Sequence, residues 1–269
     1  MTRKDARPHA VEAGPAGTRW SFFLLNMLKT FGSFVLFLYN MVARAERFKT
    51  LWKRFFEEAT LIGVNSIFIV GIVSAFIGAV TCIQIAYNLT NPLIPKSTIG
   101  YMVREMTILE LAPTITSIVL AGKVGSAIAG GLGTMRITEQ ISALEVMGIN
   151  STSYLVLPRI LAAMFMFPLL VILAMALSIL GGYLAGTLSG VMAPQDYIEG
   201  IRTDFIPYNI FFALIKAVVF AFLVSGISAY KGFYTEGGAL EVGAASTAAV
   251  TNSIIAILLA DYALAAILL

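Results

Sequence analysis

The chain has 269 residues, of which 58% are hydrophobic and 12% charged, with a formal net charge of +3. Soluble domains carry about 25% charged residues, so this balance excludes an ordinary soluble enzyme and points to an all-α polytopic membrane protein. One cysteine, Cys82, and one histidine, His9, exclude a disulfide framework and a typical zinc site.

Residues 1–19 are polar and rich in Ala, Gly and Pro, and read as a disordered tail. Residues 20–57 read as an amphipathic elbow helix lying in the membrane interface. Trp20 to Ala43 is apolar and aromatic, but Lys29 leaves an uncharged run shorter than the about 20 residues that a span needs. Arg44, Arg47, Lys49, Lys53 and Arg54 then interleave with Phe48, Leu51, Trp52, Phe55 and Phe56, the pattern of an interfacial helix. No secretory cleavage site of small residues is evident near the start.

Residues 58–269 read as a membrane domain of five spans. The first runs from about Leu61 to Asn88 and is broken by Asn91, Pro92 and Pro95. The second runs from about Met106 to Ala129 and holds Glu110 and Pro113. The third, from about Pro158 to Val191, carries Gly182, Gly186 and Gly190 at i, i+4, i+8, a spacing that lets helices approach closely in lipid. The fourth, from about Pro207 to Ala229, holds Lys216, and the fifth, from about Val242 to Leu269, holds Asp261. A charge in the bilayer core is costly, so Glu110, Lys216 and Asp261 are each candidate functional residues, with a structural ion pair as the plainer alternative. Counting inward from the span ends puts Lys216 and Asp261 at matching depth on antiparallel neighbours, which predicts a salt bridge between them.

Lys and Arg crowd the tail, the elbow and the 122–159 region, with Lys231 in the last loop on that side. The opposite loops hold Lys96, Arg104 and Arg202. The positive-inside rule then places the N-terminus in the cytoplasm and the C-terminus on the far side, periplasmic in a bacterial inner membrane.

Between the second and third spans lies the densest glycine and polar punctuation in the chain. Gly130, Gly131 and Gly133 are expected to break a helix. Thr134 to Met147 then reads as a short amphipathic helix, with Ile137, Ile141 and Leu144 on one face and Gly148 as its left-handed C-cap. Its size suits docking into a partner; an ordinary interfacial helix is the alternative.

This run, AGKVGSAIAGGLGTMRITEQISALEVMGINSTSYLVLPRILA from Ala121 to Ala162, resembles the signature of the MlaE-type ABC transporter permeases. Gly122, Gly125, Gly133, Thr134, Met135, Glu139, Gln140, Met147, Gly148, Pro158 and Arg159 fall on the family pattern. Lys123 stands for the usual Arg, Gly131 for an acidic residue and Ser142 for the usual Asp. Leu109 to Pro113 resembles the family's R-E-L-G-P without its Arg, and Gly237 to Thr247 resembles its G-G-A-x-x-V-G-R-A-T-T with Ala244 at the Arg.

The resemblance implies a homodimeric, non-catalytic permease that moves phospholipid, serving outer-membrane lipid asymmetry in Gram-negative family members. It implies an ABC ATPase subunit that binds ATP and Mg, an MCE-domain lipid-binding protein outside, and a small STAS-type regulatory subunit as a further possible partner. The chain itself would hold no cofactor and no metal, and would bind no nucleic acid. Carried onto this sequence, ATPase coupling falls to Thr134, Met135, Arg136, Glu139, Gln140 and Leu144. Lipid binding falls to Ile83, Tyr87, Leu89, Leu109, Glu110 and Leu111.

The residues themselves show no phosphate-binding G-x-x-x-x-G-K-[ST] loop and no nucleophile–histidine pair. A stand-alone secondary transporter or channel is the competing class. It calls for an ion relay in the membrane and often an internal repeat; three isolated charges make a thin relay, and no convincing repeat relates the halves.

Overall fold

The computed structural model describes residues 29, 32–41, 48–89 and 93–268. The expected tail at 1–19 lies outside them, as do 20–28, the run 42–47 and the break at Asn91 and Pro92.

Among the described residues the regular structure is entirely helical, with five stretches long and apolar enough to cross a membrane. Hydrocarbon offers no water to satisfy a backbone N–H or C=O, and a helix satisfies both within itself. α1 is Gly32–Met41. α2 is Phe48–Ile62, joined by a 3-10 turn at Val64–Ser66 to α3, Ile67–Asn88. α4 runs from Ser97 to Ile137, 41 residues. α5 is Gln140–Val146, α6 Ser151–Leu155 and α7 Leu157–Leu188. α8 is Pro194–Arg202, α9 Tyr208–Phe233 and α10 Ala239–Leu268. The crossings are α3, α4, α7, α9 and α10, which makes this a multi-pass membrane protein. α5 and α6 therefore lie at one end of the bundle and α8 at the other.

The glycines Gly130, Gly131 and Gly133 do not break α4, contrary to expectation. A helical glycine costs about 1 kcal/mol relative to Ala, and tertiary contact offsets it here. A Cβ at Gly133 would stand 3.1 Å from Val242, and one at Gly130 3.2 Å from the Ser246 hydroxyl, so the missing side chains let α10 approach. The expected single helix from Thr134 to Met147 is likewise split. Its first four residues are the end of α4, and Glu139 turns the chain in a left-handed conformation, φ 58°, before α5 begins.

The tightest seam joins α3 to α7. A Cβ added at Gly78 would run into the Ser178 carbonyl, and one at Gly181 into the Ala75 carbonyl, so each helix presents a glycine to the other's backbone. Gly182 and Gly186 also face close neighbours, Tyr197 and Cys82, but Gly190 does not join that stripe. It follows the end of α7 with φ +68° and forms part of the turn.

At the α8 end, the buried Arg104 of α4 gathers the end of α8 onto the bundle. Its Nη1 donates to the carbonyls of Ile201 and Thr203 at 2.6 and 2.7 Å, and its Nη2 to that of Asp204 at 3.2 Å. The Tyr197 hydroxyl donates to the Ile179 carbonyl at 2.9 Å, and burial pushes its phenol pKa well up. At the other end Phe37 of α1 is buried against Tyr230, Phe233 and Tyr234.

Candidate functional site

The first site grows from an irregularity in α4. Thr107–Ile115 is a π-helical segment, and Pro113 lies within it. Proline has no N–H, so it interrupts the backbone ladder of this segment. Lys216 of α9 reaches the same stretch: its Nζ donates to the Leu109 carbonyl at 3.1 Å.

The same Nζ makes two ion pairs, with Glu110 at 2.7 Å and with Asp261 of α10. It also lies 5.2 Å from the Phe212 ring centroid. The three side chains differ in exposure: 0% for Lys216, 11% for Asp261 and 53% for Glu110. Lys216 and Asp261 thus form an enclosed pair, while Glu110 offers its carboxylate outward. Two carboxylates facing one ammonium leave the cluster one negative charge in excess when all are ionised, inside a medium that penalises each charge. The structure brings together the three intramembrane charges read from the sequence.

The other expected lipid-path residues are scattered. Ile83 and Tyr87 are exposed on α3. Leu89, just past that helix, packs against the small cluster of Cys82, Ile99, Val103, Met192 and Tyr197. Leu109 and Leu111 flank Glu110 and are half-buried.

The second site is the elbow between α4 and α5. Thr134 is exposed, and Met135 and Arg136 are half-buried on the last turn of α4; the Arg136 guanidinium stands 5.9 Å from the Phe233 ring centroid. Glu139 and Gln140 are exposed at the turn. Ile141 is fully buried and Leu144 packs on the core, so α5 turns its apolar stripe inward. Its end is sealed at Gly148, φ +76°, where the Ile149 N–H reaches the Leu144 carbonyl and the Gly148 N–H that of Glu145, each at 3.0 Å. Between this elbow and the loop after α9 lies a polar notch of about 290 Å³, lined by Arg136, Glu139, Ser142, Glu236 and Gly237 among others. Partial burial, and then the neighbouring Tyr230, raise the pKa of Tyr234, next to that loop.

A family model described as Permease MlaE matches residues 55–267. The chain belongs to the MlaE permease family. Among its relatives, a protein of Rickettsia bellii named "Probable ABC transporter permease protein" is 33% identical over 238 residues, 88% of this chain and 92% of its own length. One of Synechocystis, "Probable ABC transporter permease protein slr1045", is 33% identical over 84% of both chains. The Arabidopsis thaliana protein "TRIGALACTOSYLDIACYLGLYCEROL 1, chloroplastic" is 31% identical over 84% of this chain and 64% of its own.

In this MlaE-family permease the sequence reading missed several residues. Val146 and Met147, 89% and 65% exposed, put apolar surface at the open end of α5. Their place three and four residues after Ala143, off the Ile141–Leu144 stripe, was the available signal. Glu105 was missed too: it holds Arg104 at 2.6 Å and accepts from Asn209 at 2.7 Å, tying α4 to α9. Arg104 is spent on α8 and Glu105 and does not stand beside Glu110.

Proposed function

We propose that this permease is the membrane core of an ATP-driven phospholipid transporter and works as a homodimer. In this reading an ABC ATPase subunit, which binds ATP and Mg, docks on the α4–α5 elbow. An MCE-domain protein continues the lipid path beyond the membrane, and a small STAS-type subunit joins the assembly. The protein sits in a bacterial inner membrane with the elbow and N-terminus cytoplasmic and the C-terminus periplasmic. The relatives' names support an ABC transporter, and the Arabidopsis relative bears the name of a glycolipid.

The observation that carries the reading is the elbow itself. Glu139 is exposed on a strained turn, beside a polar notch and the exposed apolar end of α5, as a docking contact requires. An anionic group there suits an arginine on the partner. The dimer is supported by α10, whose residues Gly243, Thr247 and Thr251 are exposed at i, i+4, i+8, with Asn252 alongside. Thr251 lies about 18 Å into the helix, where small and polar residues face another helix better than lipid tails.

Co-expression with a candidate ABC ATPase subunit tests the reading. Wild-type chain is expected to co-purify the ATPase and to give ATP hydrolysis that phospholipid stimulates. Glu139→Lys is expected to lose both while the chain stays folded. Unchanged co-purification and unchanged hydrolysis in Glu139→Lys overturn the docking assignment.

A further inference from the structure

A separate cavity of about 290 Å³ opens where α2, the 3-10 turn, α4 and the start of α7 converge. Two departures from regular helix meet there. Asn65, in the 3-10 turn, has a carbonyl that the α-helical ladder does not claim, and it accepts from the Lys123 Nζ. Lys123 lies in the second π-helical segment of α4, Ala121–Gly125. Arg159, three residues into α7, donates from Nε to Glu58 at 2.8 Å, yet its Nη1 is buried with no hydrogen-bond partner. The remaining walls include Leu61, Ile62 and Ile128, all apolar.

The chemistry of this cavity is specific. Lys123 and Arg159 against Glu58 leave one positive charge in excess. A buried guanidinium nitrogen without an acceptor is costly, because it has lost water and gained nothing. An oxygen acceptor carrying one negative charge answers both the charge and the open donor. Guanidinium forks match phosphate oxygens, and lysine adds a point charge. The apolar walls suit acyl chain next to such a group.

We propose that this cavity binds a singly charged phosphate group, on Arg159 Nη1 and Lys123 Nζ. The site is distinct from the Glu110–Lys216–Asp261 cluster, since Lys123 lies 13 residues along α4 from Glu110, about 20 Å. It does not depend on the transport reading above, because it needs no ATPase and no second site.

The test uses purified full-length chain in a neutral detergent, with lipid adducts counted by native mass spectrometry and thermal unfolding followed in parallel. Phosphatidylglycerol is expected to form a one-to-one adduct and to raise the unfolding temperature; diacylglycerol with the same tails is expected to do neither. Lys123→Gln and Arg159→Lys are each expected to weaken phosphatidylglycerol binding at least fivefold, while Lys123→Arg retains it. Arg159→Lys keeps a cation for Glu58 but withdraws Nη1, so it reports on the open donor. If either weakening variant fails to fold, the other decides. Inorganic phosphate that stabilises the chain as fully as the lipid, and in a Lys123-dependent way, assigns the site to free phosphate. Folded Lys123→Gln or Arg159→Lys that binds phosphatidylglycerol like wild type overturns the proposal.

Discussion

Lys216 of α9 donates a hydrogen bond to the Leu109 carbonyl of α4 at 3.1 Å, within the π-helical stretch that holds Pro113. A backbone oxygen of one span thus meets the buried ammonium of another. The ammonium gains an acceptor besides its two carboxylates.

The cluster predicts an order of mutational cost. Lys216→Met strands the enclosed Asp261 carboxylate, and removing one partner of a buried pair costs about 3–5 kcal/mol. Glu110→Gln leaves the Lys216–Asp261 pair in place and acts on a half-exposed partner, so it should cost about 1 kcal/mol or less. Detergent-solubilised unfolding measures both. Equal losses would contradict the ranking of the enclosed Lys216–Asp261 pair above the exposed Glu110.

Glu139 allows its charge to be separated from its backbone. A non-glycine residue in the left-handed region costs roughly 1–2 kcal/mol, and glycine escapes that cost. Glu139→Gly should therefore keep or raise stability, by up to about 1 kcal/mol, while lowering ATPase co-purification as Glu139→Lys does. Full co-purification of the glycine variant would mean that the carboxylate is not the contact.

Glycine substitutions should change sign with position. Gly78→Ala drives a methyl into the Ser178 carbonyl, and overpacking of this kind costs about 1–3 kcal/mol or more. Gly131 has nothing within 4 Å of its missing Cβ and lies inside α4, so Gly131→Ala should stabilise by about 0.5–1 kcal/mol. Thermal unfolding of the two variants side by side reads the difference, and the same sign for both would contradict the seam.

The Tyr197 phenol gives an alkaline signature. Its pKa is raised in the folded chain, so the neutral form is favoured there. The contribution is complete below the unfolded value of about 10. As pH rises further, the unfolded chain ionises first and stability falls until the native phenol ionises. Tyr197→Phe should remove this slope at high pH, at a cost of about 1 kcal/mol at neutral pH for the lost hydrogen bond. An unchanged alkaline slope in the variant would place the titration elsewhere.

The five crossings were legible because each is a long apolar run between polar breaks, and the membrane admits little else than a helix. The Lys216–Asp261 contact could be anticipated by counting residues inward from two span ends. The continuity of α4 could not. Gly130 and Gly133 read as helix breakers until the position of Val242 and Ser246 is known, and that is a property of α10 rather than of α4. The left-handed turn at Glu139 was hidden for a similar reason, since nothing local marks a glutamate for that conformation. The third partner of Lys216 was hidden because it is a backbone atom. Leu109 was visible in the sequence, but not that its carbonyl would meet a lysine 107 residues further on.

The glycine-to-carbonyl contact between α3 and α7 closes that boundary to cargo. A gap that cannot admit one methyl group cannot admit a hydrocarbon tail, so nothing slides between these two helices without prising them apart. Their joint surface acts as a wall. Any passage along this bundle has to follow another helix boundary.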